Sequence, residues 1–143
     1  MKNLFLITIT AFSFFAISCG NATVSETAQI QQTTTQGQFT NVSTDYLNAA
    51  IKGGGNFVIL DVRTPGEVAE GHIENAVNMD INNANFKTQA AELDKSETVY
   101  VYCRSGMRSQ TASKVLIEMG FQDVRNVEGG YLSWAQNGFK TVK

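Results

Sequence analysis

The sequence has few of the residues that build metal sites and disulfide frameworks. Its 143 residues include one histidine, His72, and two cysteines, Cys19 and Cys103. One imidazole without Cys, Asp or Glu at ligand spacing is not a metal site. The chain also has no C-x-x-C pair, which excludes dithiol redox chemistry. We expect neither a metal nor an organic cofactor.

Positive charge is not in excess either. Eleven Lys and Arg residues stand against 13 Asp and Glu residues, giving a formal charge of -2 with no basic stripe. Nucleic acid is therefore not an expected partner. A chain of this length, 43% hydrophobic, can bury one ordinary core. We expect a single folded domain.

The N-terminus has the organisation of an export signal. Lys2 is followed by an apolar run over residues 4–17 and by the small residues Ser18, Cys19 and Gly20. The run is shorter than the roughly 20 residues that span a bilayer. Residues 1–18 are predicted to be a signal peptide that directs the chain to the cell envelope.

Two fates of the cleaved chain stay open. "AISC" resembles a bacterial lipobox, with Ala16 where leucine is usual, which implies lipidation of Cys19 and a lipid-anchored domain facing the periplasm. The same residues fit an ordinary signal peptidase, which would release a soluble periplasmic protein. Residues 19–38, rich in Thr and Gln, are predicted to be a flexible tether before a domain over residues 39–143. The only expected membrane contact is the lipid anchor.

Strand and helix signals alternate along the rest of the chain. Continuous apolar runs, each separated by a helical pattern, are typical of a parallel sheet covered on both faces. The fold class predicted is α/β, a three-layer α/β/α domain with a mainly parallel five-stranded sheet. The predicted strands are residues 39–42, 57–61, 76–80, 98–103 and 123–127, and the predicted helices are residues 43–53, 64–71, a segment within 86–93, 109–119 and 129–138.

Cys103 lies where such a sheet places chemistry, between a strand and a helix. The segment "CRSGMRS" runs into the helix, whose first amides lack partners and favour an anion. Gly106 permits positive φ, so that successive amides can turn inward, while Arg104 and Arg108 add charge. These features lower the pKa of a thiol and make it a nucleophile. The hypothesis needs a thiol that is ionised and open to solvent.

Three motifs resemble those of single-domain rhodaneses, the thiosulfate sulfurtransferases. "YCRSGMRSQTASKVL" is similar to their active-site loop, "LDVRTPGEVAEGHIENAVNM" to their D-x-R, E-x-x-x-G-H-I and A-x-N elements, and "VEGGYLSW" to their closing segment. The resemblance covers residues 39–139. Gly66 and Val68 replace residues that are more often bulky, and Glu74 and Asn75 stand where Pro-Gly is common.

This resemblance implies a rhodanese-like fold and a two-step sulfur transfer. Cys103 is the implied catalytic residue, which would take the outer sulfur of thiosulfate as a persulfide and pass it to cyanide, a thiol or another thiophilic acceptor. A sulfur-accepting protein is an alternative acceptor. The implied substrate-binding residues are those of the loop: Arg104, Ser105, Gly106, Met107, Arg108 and Ser109.

Four further residues are predicted to support the structure. Asp61 and Arg63 could form an ordinary surface pair, or Arg63 could pair with Glu67 one helical turn away. His72 resembles the structural histidine of the G-H-I element. Arg125 has no assigned role.

Two other functions are alternatives to sulfur transfer from thiosulfate. Cysteine phosphatases also place a cysteine before an arginine-containing loop, in a C-x5-R pattern. Here Arg108 is the fifth residue after Cys103, so the ring of amides is one residue short for a phosphate. Alternatively, the domain could be a carrier that accepts a persulfide and hands it to a partner protein without turning over thiosulfate.

Overall fold

The computed structural model describes residues 37–143. The predicted signal peptide, the predicted lipidation site Cys19 and nearly all of the predicted tether lie outside the described residues. No helix within residues 37–143 is both long enough and apolar enough to cross a membrane.

Seven strands and five helices follow one another along the domain. The strands are β1 Thr40–Val42, β2 Phe57–Asp61, β3 His72–Ile73, β4 Val77–Asn78, β5 Thr98–Tyr102, β6 Asp123–Val127 and β7 Thr141–Val142. The helices are α1 Thr44–Gly53, α2 Pro65–Glu70, α3 Phe86–Ala90, α4 Met107–Glu118 and α5 Gly130–Gln136.

The main sheet has five parallel strands in the order β1-β6-β5-β2-β4. This confirms the predicted α/β class. The register sets Asp61, the last residue of β2, beside Tyr102, the last residue of β5. Because the strands are parallel, their carboxyl ends share one edge, where a site is expected.

A small antiparallel pair, β3 with β7, was not predicted. It joins His72 to Val142 and Ile73 to Thr141. Two-residue strands are too short to produce an alternating pattern, so the sequence carries no periodic signal for them.

Both faces of the sheet are covered. Successive side chains of β5 point to opposite faces and all of them are buried between Val99 and Tyr102, so each face must pack against helices. Val99 and Val101 point to one face and pack with α3 and α4, whereas Tyr100 and Tyr102 point to the other. That second face packs against α1 and α5, and Trp134 of α5 is 2% exposed there. The result is three layers, with the site at the edge between them.

Helix starts follow the sequence signals except in α4. Ser43 caps α1 and Thr64 closes a capping box with Glu67 at the start of α2, as side-chain oxygens at these positions favour. Helix α4 begins at Met107, two residues before the predicted start at residue 109. The prediction used apolar residues at helical spacing, which mark the buried face of a helix. Met107 is 71% exposed and does not belong to that face, so the first turn was not included.

Candidate functional site

The candidate site is centred on Cys103, directly after the central strand β5 and before α4. Gly106, at φ 103°, occupies the N-cap position of α4. This left-handed conformation suits glycine and turns the loop so that the Gly106 amide donates to Cys103 Sγ at 3.1 Å. The thiol therefore faces the amino end of a twelve-residue helix, an arrangement that stabilises a negative charge.

The surroundings of Cys103 favour its thiolate. Burial raises the pKa of the Cys103 thiol, but hydrogen bonding from the amide and hydroxyl of Ser109 and from the amides of Gly106 and Ser105 outweighs it and lowers that pKa. The Ser109 hydroxyl also donates to the Gly106 carbonyl at 2.9 Å. Since a hydroxyl has one hydrogen, we attribute the larger share to the amides.

Cys103 is not open to solvent, which differs from the expectation. The residue is 1% exposed and packs with the core on the α4 face. The reason lies in the loop: Gly106 and Ser109 are buried beside Cys103, while Arg104, Ser105 and Met107 are exposed. A reagent must displace part of this cover to reach the sulfur.

Arg108 is bound to Glu67 of α2. Its guanidinium donates to the two carboxylate oxygens at 2.8 and 2.7 Å. The hydrogen bond from Arg108 lowers the pKa of Glu67 to about 2, and Glu67 in turn raises the pKa of Arg108. The Thr64 amide and hydroxyl also donate to Glu67 Oε2, at 3.2 and 3.0 Å. The positive charge of Arg108 at the site is therefore paired with the Glu67 carboxylate and is not free.

Asp61 and Arg63 pair with each other, as one of the two alternatives had it, but the pair is buried and not at the surface. Their side chains are 1% and 3% exposed, and Arg63 donates to the carboxylate at 2.9 and 2.6 Å. Arg63 also donates to the backbone carbonyls of Gly71 and Glu67, and its guanidinium lies 4.2 Å from the Tyr131 ring centroid. The other alternative, pairing with the Glu67 carboxylate, was wrong because Arg108 occupies that carboxylate.

The start of α5 forms backbone hydrogen bonds to the cysteine loop. The Tyr131 amide donates to the Cys103 carbonyl at 2.8 Å, and the Leu132 amide donates to the Arg104 carbonyl at 3.0 Å. Such contacts need a close backbone approach, since a Cβ on Gly130 would lie 2.3 Å from the Cys103 oxygen. Gly130 was not among the predicted site residues. The signal for it in the sequence is the glycine pair of "VEGGYLSW".

The other predicted residues lie apart from these contacts. His72 belongs to the β3 and β7 pair, and its Nδ1 is 3.3 Å from the Val68 carbonyl. Arg125 pairs with Asp123 and donates to the hydroxyls of Tyr46 and Tyr100. Within residues 37–143 no group of three His, Cys, Asp or Glu residues is arranged to hold a metal ion.

The fold and the site define a class: an α/β domain with a cysteine at the carboxyl end of a central parallel strand, enclosed by a short loop and a helix N-terminus whose amides lower the pKa of the thiol. Residues 43–137 match the rhodanese-like domain. The chain belongs to the rhodanese-like domain family, whose members among its relatives include sulfurtransferases.

Three relatives illustrate the match. A sulfurtransferase of Allochromatium vinosum is 35% identical over 85 residues, covering 59% of this chain and 78% of the relative. Thiosulfate sulfurtransferase PspE of Escherichia coli is 36% identical over 70 residues, covering 49% and 67%. The crystal structure of a rhodanese-related protein from Thermoplasma volcanium is similar with a TM-score of 0.64 and 31% identity, covering 73% of this chain and 98% of that one.

Proposed function

We propose that the protein transfers a sulfane sulfur from thiosulfate, or a similar donor, to a thiophilic acceptor through a persulfide on Cys103. In the first step the Cys103 thiolate forms a bond to the outer sulfur of thiosulfate. The bond between the two thiosulfate sulfurs breaks, and its electron pair leaves with sulfite. In the second step cyanide or a thiol takes the outer sulfur, and Cys103 leaves as a thiolate.

The observation that carries this proposal is the hydrogen bonding at the Cys103 sulfur. The Gly106 amide lies 3.1 Å from Sγ and the loop amides lower the pKa of the thiol despite its burial. In the second step the leaving group is the Cys103 thiolate, and the same amides stabilise its negative charge. They are already in position, so no rearrangement is needed when the charge forms. Thiosulfate sulfurtransferases among the relatives support the choice of donor.

The burial of Cys103 favours a small donor over a protein donor. A residue with 1% of its surface exposed cannot be reached by a bulky partner side chain without moving the loop. A compact anion needs a smaller displacement, and exposed Arg104 at the loop is available to attract it. This favours direct use of a small-molecule donor over the carrier role.

Intact mass after incubation with thiosulfate tests the proposal. The full chain carrying Cys19→Ser leaves Cys103 as its sole thiol, and we expect a gain of one sulfur atom. Cyanide should then remove that atom as thiocyanate. The Cys103→Ser variant should gain nothing while keeping its folded circular dichroism spectrum. A wild-type chain that gains no sulfur, or a Cys103→Ser chain that gains it, contradicts the proposal.

Export and lipidation of Cys19 also belong to this proposal. The support is the order of charge, apolar run and small residues over residues 1–20. Labelling of bacterial cells with a palmitate analogue should mark the wild-type chain in the membrane fraction and leave Cys19→Ser unlabelled. An unlabelled wild-type chain in the periplasmic fraction would favour ordinary signal-peptidase cleavage, and one in the cytoplasm would contradict export.

A further inference from the structure

A cavity of about 520 Å³ lies beside the first half of β2. Strand β4 pairs with only the last two residues of β2, Leu60 and Asp61, so residues 57–59 have no strand neighbour on that side within the described part of the chain. These three residues line the cavity together with the last turns of α1 and the segment between β3 and β4. Its volume falls within the range of small-molecule sites.

This cavity and Cys103 belong to opposite faces of the sheet. The most buried residues of the lining, Ile59, Ile73 and Trp134, form the cavity floor and pack in the core covered by α1 and α5. Cys103 packs in the core on the α4 face, and no residue of the loop 103–109 lines this cavity. The proposed sulfur transfer therefore leaves this space without a role.

The floor of the cavity is apolar. Ile59 and Ile73 present hydrocarbon side chains, and the half-buried ring of Phe57 stands beside them. The indole nitrogen of Trp134 already donates to the Lys140 carbonyl at 2.9 Å, so it is not available to a ligand. A hydrophobic body of about the size of an aromatic ring suits this floor, since aromatic rings gain energy by packing on one another.

The rim of the cavity carries one positive charge in excess. Lys52, in the last turn of α1, is exposed and forms no ion pair with any residue of the described range 37–143. Asn48, one turn earlier on the same side of α1, is half-buried, and its side chain forms no hydrogen bond within that range. The two other charges of the lining, Lys140 and Glu74, pair with each other at 2.7 Å. Lys52 and Asn48 are therefore the polar groups available to a bound anion.

We propose that this cavity is a second ligand site, that its ligand is a small hydrophobic carboxylate, and that Lys52 is the counter-ion of the carboxylate. The side-chain NH2 group of Asn48 supplies a hydrogen-bond donor on the same side. This inference goes beyond the proposed function, because binding here forms and breaks no covalent bond and needs neither Cys103 nor a sulfur donor.

The fluorescence of Trp134 reports on this site, because the chain contains one tryptophan and it lies in the cavity floor. The full chain carrying Cys19→Ser is titrated with hydrocinnamate and with hydrocinnamamide, its neutral amide of the same shape. We expect both probes to change the emission of Trp134, with the acid bound more tightly than the amide. Backbone amide chemical shifts locate the bound probe, and the largest changes should fall at Gly54, Gly55 and Asn75, which line the cavity.

Three variants test the assigned contacts. In Lys52→Gln the ratio of acid affinity to amide affinity should fall about two- to five-fold, the size of one solvent-exposed ion pair. The matched control is Lys114→Gln, an exposed lysine of α4 outside this cavity, which should keep the wild-type ratio. Ile51→Ser removes apolar surface from an exposed position of the lining and should weaken both probes alike, about four-fold, the effect of one buried CH2 group.

The possible results separate this inference from the proposed function. Cys103→Ser should bind both probes as the wild-type chain does. The site is overturned if neither probe binds, if the chemical-shift changes fall at the cysteine loop instead, if Lys52→Gln keeps the wild-type ratio, or if Lys114→Gln lowers the ratio equally. A chain that takes up no sulfur from thiosulfate but binds hydrocinnamate in this cavity would overturn the proposed function and support this inference.

Discussion

The guanidinium of Arg108 donates two hydrogen bonds to the carboxylate of Glu67, at 2.8 and 2.7 Å. The pair ties the first turn of α4 to the start of α2, so it links the loop after β5 to the loop after β2. The two side chains are 30% and 22% exposed, so water screens part of their attraction. The pair therefore sets the position and charge of Arg108 at the site more than it sets the stability of the fold.

Arg108→Ala should impair thiosulfate use through the charge that it leaves behind. Arg108 is the charge that interacts with the Cys103 sulfur, and without it the Glu67 carboxylate is left uncompensated and repels the dianionic donor. We expect the KM for thiosulfate to rise about five-fold, which corresponds to about 1 kcal/mol for a partly exposed charge. The pKa of the Cys103 thiol should also rise. Steady-state kinetics across a pH series measure both effects.

The double variant Glu67→Gln with Arg108→Ala is the control for this prediction. Glutamine keeps the capping box with Thr64 and removes the charge. It should restore part of the lost thiosulfate affinity. A double variant no better than Arg108→Ala would show that Arg108 acts by contacting the donor and that the charge of Glu67 is irrelevant.

Gly130→Ala should displace the cysteine loop. Gly130 has φ +56°, and a Cβ there would meet the Cys103 oxygen at 2.3 Å and the Arg104 carbonyl carbon and oxygen at 2.9 Å. Backbone atoms cannot move aside as a flexible side chain can. We expect loss of sulfur loading and a destabilisation well above the roughly 1–2 kcal/mol of a left-handed alanine alone. Chemical denaturation and intact mass measure the two effects.

Gly138→Ala is the control that distinguishes the cost of a left-handed backbone conformation from the cost of a steric clash. Gly138 also has positive φ, +70°, but nothing lies within 4 Å of its added Cβ. Only the conformational cost of about 1–2 kcal/mol should appear, with sulfur loading retained. Equal destabilisation of the two variants, or normal loading by Gly130→Ala, would refute the role assigned to Gly130.

Asp61→Asn should cost far more stability than Asp123→Asn. Both aspartates pair with an arginine two residues later, at 2.6 Å for Arg63 and 2.7 Å for Arg125. The first pair is buried, while the side chains of the second are 26% and 37% exposed. Removing one partner of a buried pair leaves the other charge uncompensated, at a cost of about 3–5 kcal/mol. A partly exposed pair contributes about 1 kcal/mol or less. Urea denaturation of the two variants checks this difference, and similar losses would contradict it.

The sequence predicted the sheet and its capped helices because each rests on local patterns. Apolar runs marked the strands, and Ser43 and Thr64 marked two helix starts. It could not predict which charges meet, since Arg63 follows Asp61 by two residues and precedes Glu67 by four, so that either carboxylate could be its partner. The outcome depends on Arg108, which is 41 residues beyond Glu67 and reaches it only in the folded domain.

Burial of the site residue was the other feature beyond sequence reasoning. The loop composition indicated a nucleophile, and the lowered pKa of Cys103 agrees with that reasoning. Its exposure depends on how Gly106 packs against the backbone of residues 127–129, between β6 and α5, which only the tertiary structure determines. Similarly, the role of Gly130 becomes visible only when its contact with the Cys103 carbonyl is known.

The pH dependence of Cys103 should reveal the contribution of Ser109. A thiol whose pKa is lowered in the folded chain keeps its thiolate as the pH falls below the usual range near 8.5. Loading of sulfur from thiosulfate should therefore hold its plateau rate below that range and decline only through the lowered pKa. Linkage gives the same sign for folding: the thiolate contributes stability above the unfolded pKa, and this contribution is lost as pH falls through the folded pKa.

Ser109→Ala removes one hydroxyl donor near this sulfur, so the decline in loading rate should begin at higher pH, with a stability loss of about 1 kcal/mol. Ser113→Ala is the matched control, because Ser113 lies one turn further along α4, is equally buried and has no partner for its hydroxyl within the described residues. Removing an unpaired hydroxyl should leave the pH profile unchanged and stability equal or higher. If both variants shift the profile alike, buried volume in α4 controls the thiol; if neither does, the backbone amides of Ser105, Gly106 and Ser109 suffice to hold the thiolate.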